Sequence, residues 1–300
     1  MNTIPNEIIR EIFSFMDNHY NISITCKRLN NIFRDCINPS DKQVFNIFFK
    51  MNPIDAIKQV INNKKSNLAT HNNFAIFSAA SFGNVEIVQM LLNDSRVNPC
   101  DALAIAALHG HYKVVKLLLL DPRVDPSAQN NIAIINASRN GHHKIVEILL
   151  LDARTDPSDN NNEAIVLASE FGHHKVVKLL LSNPYVNPSV MNNLAIVYAT
   201  SNGHFEVVKL LLSDSRVDPS DRNNFAIIYA VKNNHYEIVK LLLTDPRVDP
   251  TVDNNCIIHS AIEMNNNEMF KLLISDSRIK LFKPIIYYTF RNIIKCVKIH

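Results

Sequence analysis

Glycine is scarce in this chain, which has only five glycines among its 300 residues. That number leaves no glycine-rich loop that could cradle a phosphate group. The net charge is only +3, so nucleic acid is not expected as the main partner. No run of about 18 uncharged apolar residues is present, so no membrane-spanning helix is expected either.

Cysteine is sparse too, and its positions do not suggest a metal site. The five cysteines are scattered and never stand at metal-ligand spacing: Cys26, Cys36, Cys100, Cys256 and Cys296. We expect reduced thiols in a cytoplasmic or nuclear protein. Glu7 and Arg10 interrupt the first apolar stretch, which is therefore not a secretory signal. No nucleophile elbow, zinc-protease motif or triad pattern is present, so we predict no enzyme activity, cofactor or metal.

The five glycines belong to a repeat. Gly141, Gly172 and Gly203 are 31 residues apart, and the same step reaches Asn234 and then Asn265. Asparagine is the residue that best replaces glycine in a left-handed backbone, so each of these positions should end a short helix. Asx-Pro pairs keep the same period and predict turns; their prolines are Pro126, Pro157, Pro188, Pro219 and Pro250.

Each repeat contains two short apolar helices. In the unit from Pro188 to Asp218, Asn192 and Asn193 can cap the first helix, and Asn202-Gly203 ends it. Helices of eight to ten residues are marginal alone, so the units must stack. A small residue recurs where helices would approach closely: Ala79, Ala106, Ala137, Ala168, Ala199, Ala230 and Ala261. We predict an all-α helical repeat solenoid.

The run from Asn202 to Leu212 (NGHFEVVKLLL) resembles the ankyrin repeat, in which G-H-x-x-V-V-x-L-L-L builds the second helix. The resemblance implies seven units over residues 72–279, one of them shortened to 27 residues, after a degenerate capping repeat at 41–71. A C-terminal capping helix is expected over 280–300. The D-x-R-V-D-P loop replaces the family's usual G-A-D, so the β-hairpin fingers should be shorter or more turn-like than usual. The array is similar to divergent ones known from large DNA viruses and some protists.

Residues 1–36 do not follow the repeat and resemble an F-box. Their motifs are IPNEIIREIFSF, with Ile8, Ile12 and Phe15 on one helical face, and CKRLNNIF. The resemblance implies that apolar residues insert into a Skp-type adaptor of a cullin ubiquitin ligase. The residues assigned to adaptor binding are Ile4, Pro5, Ile8, Ile12, Phe13, Phe15 and Leu29. The alternative is an amphipathic cap over the first exposed face of the array.

Two further sets of residues repeat, and we interpret both as structural. In five repeats a histidine directly follows the glycine or asparagine. These histidines are His111, His142, His173, His204 and His235. Equivalent histidines on helices about 8–10 Å apart cannot share a metal, so helix-start hydrogen bonds are expected. Aspartates such as Asp214 stand two residues before an arginine such as Arg216, which predicts a ladder of ion pairs in the loops.

Positions that vary between units are candidates for binding. In the ankyrin family they correspond to a concave groove that holds protein partners. The groove residues we select are Phe82, Leu108, His109, Arg139, Phe171, Val190, Met191, Asn202 and Lys232. The alternative is random drift on a solvated face. The four residues missing from the short unit should leave a notch in the finger row that exposes Leu108 and His109.

The main hypothesis is a protein–protein interaction module that acts as a substrate receptor of a Skp/cullin-type ubiquitin ligase. The array would hold a target protein, and the N-terminal segment would hold the adaptor. The alternative is a non-catalytic scaffold or decoy without ligase association. We expect a monomer with no nucleic-acid or membrane partner.

Overall fold

The computed structural model describes residues 76–77 and 79–279. The predictions for residues 1–36, 41–71 and 280–300, and all seven adaptor-binding residues, therefore lie outside the described residues. The chain divides into two compact units, each of which contains several of the repeats. Of the described residues, the first unit holds those up to Ala106 together with Lys113–Val124. The second holds Ala107–Tyr112 and those from Asp125 onward.

The described residues form pairs of short helices without any strand, which confirms the all-α prediction for this part of the chain. Helical residues at 76–77 and 79–81 come first. The helices that follow are α1 Val85–Leu92, α2 Ala102–Leu108, α3 Tyr112–Leu118, α4 Ala128–Arg139, α5 His143–Leu150, α6 Asp159–Glu170, α7 His174–Leu181, α8 Val190–Ser201, α9 Phe205–Leu212, α10 Asp221–Lys232, α11 Tyr236–Leu243, α12 Val252–Glu263 and α13 Asn267–Ile274. Among these none is both long and apolar enough to cross a membrane.

Within the second compact unit the even-numbered helices α4, α6, α8, α10 and α12 pack against one another in chain order. The odd-numbered helices α5, α7, α9 and α11 do the same. We call the even-numbered helices inner and the odd-numbered ones outer. The apolar side of an outer helix is completely buried, as Val207, Val208 and Leu211 show with 0 % exposure. The predicted small residue of the inner helices is buried in every described unit, at Ala79, Ala106, Ala137, Ala168, Ala199, Ala230 and Ala261. A methyl group at this position lets neighbouring helices approach closely.

Each inner helix from α4 to α12 begins with a left-handed turn. Three successive residues have φ between 47° and 65°: 129–131, 160–162, 191–193, 222–224 and 253–255. Left-handed backbone costs most L-residues about 1–2 kcal/mol each, and asparagine tolerates it best. The second and third residues of every such turn are asparagines, for example Asn192 and Asn193. The regular right-handed helix starts only after them.

The asparagine at the third position of the turn bridges two repeats, so the prediction that it caps its own helix is wrong. Asn193 is 4 % exposed, and its Oδ1 accepts the N–H of Asp218 at 2.8 Å. Its Nδ2 donates to Asp221 at 2.9 Å. Equivalent bonds to the next Asx-Pro turn are made by Asn131, Asn162 and Asn224. The amide satisfies a buried backbone donor of the following unit, which ties the two units together.

The short unit lacks this left-handed turn. Cys100 N–H donates to Asn98 as Ser127 N–H donates to Asp125, which aligns Pro99 with Pro126. Ala102 aligns with Ala133 when both are counted back from their glycines. The missing residues are therefore the equivalents of 128–131, and helix α2 still runs from Ala102 to Leu108. The prediction that the helix keeps its register is confirmed.

The arginines of the loop ion pairs also connect neighbouring repeats. Asp–Arg pairs occur in six described loops, at Arg96, Arg123, Arg154, Arg216, Arg247 and Arg278. Several guanidinium groups also donate to backbone carbonyls of the preceding repeat. Arg216 donates to the carbonyl of Val186 at 2.8 Å, and Arg247 donates to that of Val217 at 2.7 Å. The pKa of Asp214 is held below its usual value, mainly by the hydrogen bond from Arg216. The arginine thus binds carbonyl groups that the preceding unit leaves open.

One loop departs from this pattern and provides a test. Asn183 and Tyr185 stand where the other loops have aspartate and arginine, and Tyr185 is 76 % exposed. We expect Asn183→Asp with Tyr185→Arg to raise the free energy of unfolding by about 1 kcal/mol, because the new guanidinium can donate to the carbonyl of Thr155. The reverse exchange, Asp214→Asn with Arg216→Tyr, should lower it by a similar amount. Urea unfolding measures both, and an unchanged stability in both variants would contradict the role of the arginines.

Candidate functional site

The histidines at the start of the outer helices serve the contact between units rather than the helix start. His142, His173, His204 and His235 occupy the N-cap positions without making a side-chain cap hydrogen bond. Instead each Nε2 lies 2.9–3.1 Å from a carbonyl oxygen 34 residues earlier, at Leu108, Arg139, Glu170 and Ser201. For these four histidines the prediction of helix-start hydrogen bonds is therefore wrong. The same ring also lies close to the glycine of the preceding repeat, at Gly110, Gly141, Gly172 and Gly203 respectively.

Three histidines with lowered pKa values, His109, His142 and His173, make stability depend on pH. Burial lowers the pKa of His142, partly offset by its bond to Leu108, and burial also lowers the pKa of His173 and His109. Because the folded chain disfavours protonation, the unfolded chain takes up more protons below about pH 6.5, the ordinary histidine value. We expect the free energy of unfolding to fall as the pH is lowered from 7.5 to 5.5.

Matched substitutions can assign that pH dependence. His142→Asn and His173→Asn copy Asn266, which replaces the histidine in the last unit, and His109→Asn copies Asn140. The triple variant should show a flatter change of stability between pH 7.5 and 5.5 in chemical unfolding. The lowered aspartate pKa values act only at more acidic pH, so they do not contribute to this window. An unchanged slope would show that these three rings are not its source.

Most of the predicted groove residues reach the surface. Phe82, in the first unit, is 80 % exposed, and Phe171, in the second, is 44 % exposed. The guanidinium of Arg139 lies 5.4 Å from the centre of the Phe171 ring. Met191 is 48 % exposed, Lys232 is exposed, and Val190 is half-buried. Asn202 is exposed, but its Nδ2 donates to the carbonyl of Glu170, so it also serves the contact between units.

The expected notch does not expose Leu108 and His109. Both are half-buried, whereas the equivalent Arg139 and Asn140 of the next unit are exposed. The missing turn precedes the N-terminal end of α2, while Leu108 and His109 stand at its C-terminal end. The missing turn thus leaves Leu108 and His109 less exposed than their equivalents in the next repeat, contrary to the expected effect of a notch.

Sequence reasoning missed an apolar surface on the inner helices of the second unit. Tyr229 is 37 % exposed and packs edge-on against Phe225, with ring centres 5.6 Å apart. Equivalent positions on the neighbouring inner helices carry Leu194 and Tyr198, and the helix before them carries Leu167. All three are half-buried, and therefore partly exposed. We call Leu167, Leu194, Tyr198, Phe225 and Tyr229 the aromatic stripe. Variation between repeats could have indicated this surface. The position of Tyr198 is occupied in the other repeats by Asn136, Leu167, Tyr229 and Ser260.

Partly exposed apolar side chains make the inner helices of the second compact unit a candidate binding surface. Apolar side chains of the aromatic stripe are partly exposed on the three successive inner helices α6, α8 and α10, and Phe171 and Met191 are exposed as well. Aromatic residues and methionine are enriched in the cores of protein interfaces. Within the described residues, no three histidine, cysteine, aspartate or glutamate side chains are placed to hold a metal ion.

Comparison with known families identifies both parts of the chain. The model described as ankyrin repeats matches in three copies, at residues 46–130, 134–223 and 196–283, which together cover most of the sequence. The chain is an ankyrin repeat protein. A second model, described as an F-box domain, matches residues 1–41. No match was found among the curated proteins.

This ankyrin repeat protein therefore combines two interaction modules. Ankyrin repeats bind protein targets, and an F-box binds Skp1-type adaptors; both modules are non-catalytic. The combination supports a general role as a protein-interaction adaptor of SCF-type ubiquitin ligases. The F-box match agrees with the resemblance inferred from the first residues of the sequence.

Proposed function

We propose that this ankyrin repeat protein is a substrate receptor that brings one target protein to a Skp/cullin-type ubiquitin ligase. The support is the presence of both modules in one chain, an F-box match over residues 1–41 followed by an ankyrin array over 46–283. In this proposal Ile4, Pro5, Ile8, Ile12, Phe13, Phe15 and Leu29 contact the adaptor. The array presents the bound target on the inner helices.

The proposed receptor would work where its ligase partners are, in the cytoplasm or the nucleus. The similarity to arrays of large DNA viruses adds a second proposal, that the adaptor belongs to an infected host cell. Neither part requires an enzyme activity in this chain, because the ligase supplies the transfer of ubiquitin.

The ligase role makes a specific prediction for the N-terminal segment. Ile8→Asp with Ile12→Asp should abolish co-purification of a Skp-type adaptor, because an apolar helical face would then carry two carboxylates. The melting temperature of the array should stay the same, since a segment that serves a partner contributes little to the array. A pull-down with purified adaptor and a thermal melt on the same samples measure both.

The control for this experiment is a chain that lacks residues 1–41. It should lose adaptor binding to the same extent and keep the array folded. If the double variant instead destabilises the array by several kcal/mol, the segment is a cap and the chain is a scaffold or decoy. Adaptor binding that survives both changes would refute the ligase role.

A further inference from the structure

The turns that precede the inner helices of the second unit form an acidic edge. The turn segments 125–131, 156–162, 187–193, 218–224 and 249–255 contain one cation, Arg222. They contain seven carboxylates, which we call the acidic edge: Asp125, Asp156, Asp159, Asp218, Asp221, Asp249 and Asp253. The arginines of the neighbouring loops are each paired with an aspartate of their own loop. The edge therefore keeps an excess of negative charge.

The acidic edge adjoins the aromatic stripe. A shallow depression is lined by Asp218, Asp221 and Phe225, together with Asn192, Ser220, Arg222 and Asn223. Phe225 is the first residue of α10 after its left-handed turn, and its ring contacts Tyr229. Within the described residues the hydroxyl groups of Tyr198 and Tyr229 make no hydrogen bond. A partner that crosses the stripe would thus meet apolar rings, free hydroxyl groups and, beside them, carboxylates.

The spacing of the stripe limits the shape of its partner. Packed helices lie about 8–10 Å apart, so equivalent stripe residues on α6, α8 and α10 recur at about that distance. An extended chain in the polyproline-II conformation has three residues per turn and rises about 3.1 Å per residue. Its side chains therefore return to the same face about every 9 Å. A segment with apolar residues three positions apart would place one of them on each inner helix.

We propose that the aromatic stripe and the acidic edge bind an extended basic segment of the target, with apolar side chains at every third position and lysine or arginine between them. This inference rests on the proposed function, since it assigns a chemical class to the target. The apolar side chains lie against Leu167, Tyr198 and Tyr229. The basic side chains point to the carboxylates beside them. A negatively charged segment would be repelled.

The test measures the affinity of the full chain for labelled synthetic peptides by fluorescence anisotropy. The first peptide has leucine at every third position with lysine and proline between; the second has the same composition with the leucines at every second position. A third replaces lysine by glutamate. We expect the first peptide to bind at least about tenfold more tightly than either other peptide, and added salt to weaken it.

Variants of the chain separate the two parts of the site. Tyr198→Ser with Tyr229→Ser copies Ser260 of the last unit and should weaken the first peptide at least about tenfold, whereas Tyr185→Ser, on an exposed loop, should not. Asp156→Asn, Asp218→Asn and Asp249→Asn together copy Asn187 and should reduce the dependence on salt. The matched control removes three carboxylates from outer helices, Glu147→Gln, Glu206→Gln and Glu237→Gln.

Equal affinity for the first two peptides, or unchanged binding by the Tyr198/Tyr229 variant, would overturn this inference. So would equal effects of the two sets of charge removals. The adaptor pull-down is an independent readout. Loss of adaptor binding with peptide binding intact would refute the ligase role alone, and the converse would refute the inferred peptide class alone.

Discussion

Gly203→Asn should lower the free energy of unfolding by about 1–3 kcal/mol, because the new side chain must displace a packed ring. A Cβ atom at Gly203 would lie 2.6 Å from Cε1 of His235 and 2.8 Å from its Nδ1. Asparagine tolerates the left-handed backbone at this position, where φ is 79°, so the loss reports the collision more than backbone strain. Chemical unfolding gives the value directly.

The next unit supplies the matched rescue. Asn234 stands at the glycine position with φ of 60°, and its neighbour in the following unit is Asn266 rather than histidine. Asn266 donates to the Oδ1 of Asn234. Gly203→Asn combined with His235→Asn recreates this natural pair and should recover much of the lost stability. A double-mutant cycle with His235→Asn alone, which loses the bond to Ser201, isolates the coupling between the two sites. Additive effects would show that glycine and histidine are not matched.

The sequence predicts the repeat but not the partners of its constant residues. The 31-residue step and the exchange of glycine for asparagine predicted a left-handed backbone, and all five glycines have positive φ. The contact of His204 with the carbonyl of Glu170, 34 residues earlier, depends on how two units stack, and a single unit does not contain that information. Asn192-Asn193 has the composition of a cap and of a left-handed turn alike, so local chemistry could not separate the two.

The candidate site shows the same limit. Phe171 and Met191 were found because their positions vary between units, and both are exposed. Tyr198 was interpreted as part of the apolar helix because it stands near Ala195 and Ala199 at helical spacing, yet only the alanines are fully buried. Half-exposed aromatic residues satisfy an apolar pattern as well as core residues do. The acidic edge could not be recognised from one repeat, because its carboxylates come from the turns of four different repeats.

The second large effect is expected at the asparagines that bridge the units, and the array provides its own control. Asn193 donates to the carboxylate of Asp221, whereas the equivalent acceptor position for Asn224 is Val252. Both asparagines accept a backbone N–H through Oδ1, from Asp218 and Asp249 respectively. Replacement by aspartate keeps that acceptor at both sites. Only the aspartate at residue 193 would lie next to a second carboxylate, that of Asp221, and the two negative charges would repel each other.

We therefore expect Asn193→Asp to lower the free energy of unfolding at pH 7 by about 2–4 kcal/mol, and Asn224→Asp to lower it by clearly less. The hydrogen bond from Asn193 now lowers the pKa of Asp221. In the Asn193→Asp variant one carboxyl of the pair gains a raised pKa in the folded state, so folding binds a proton and the defect shrinks as the pH falls. The difference between the two variants, measured by chemical unfolding from pH 7 to pH 4.5, should decrease. A difference that stays constant with pH would mean that Asn193 acts through its backbone conformation and not through its bond to Asp221.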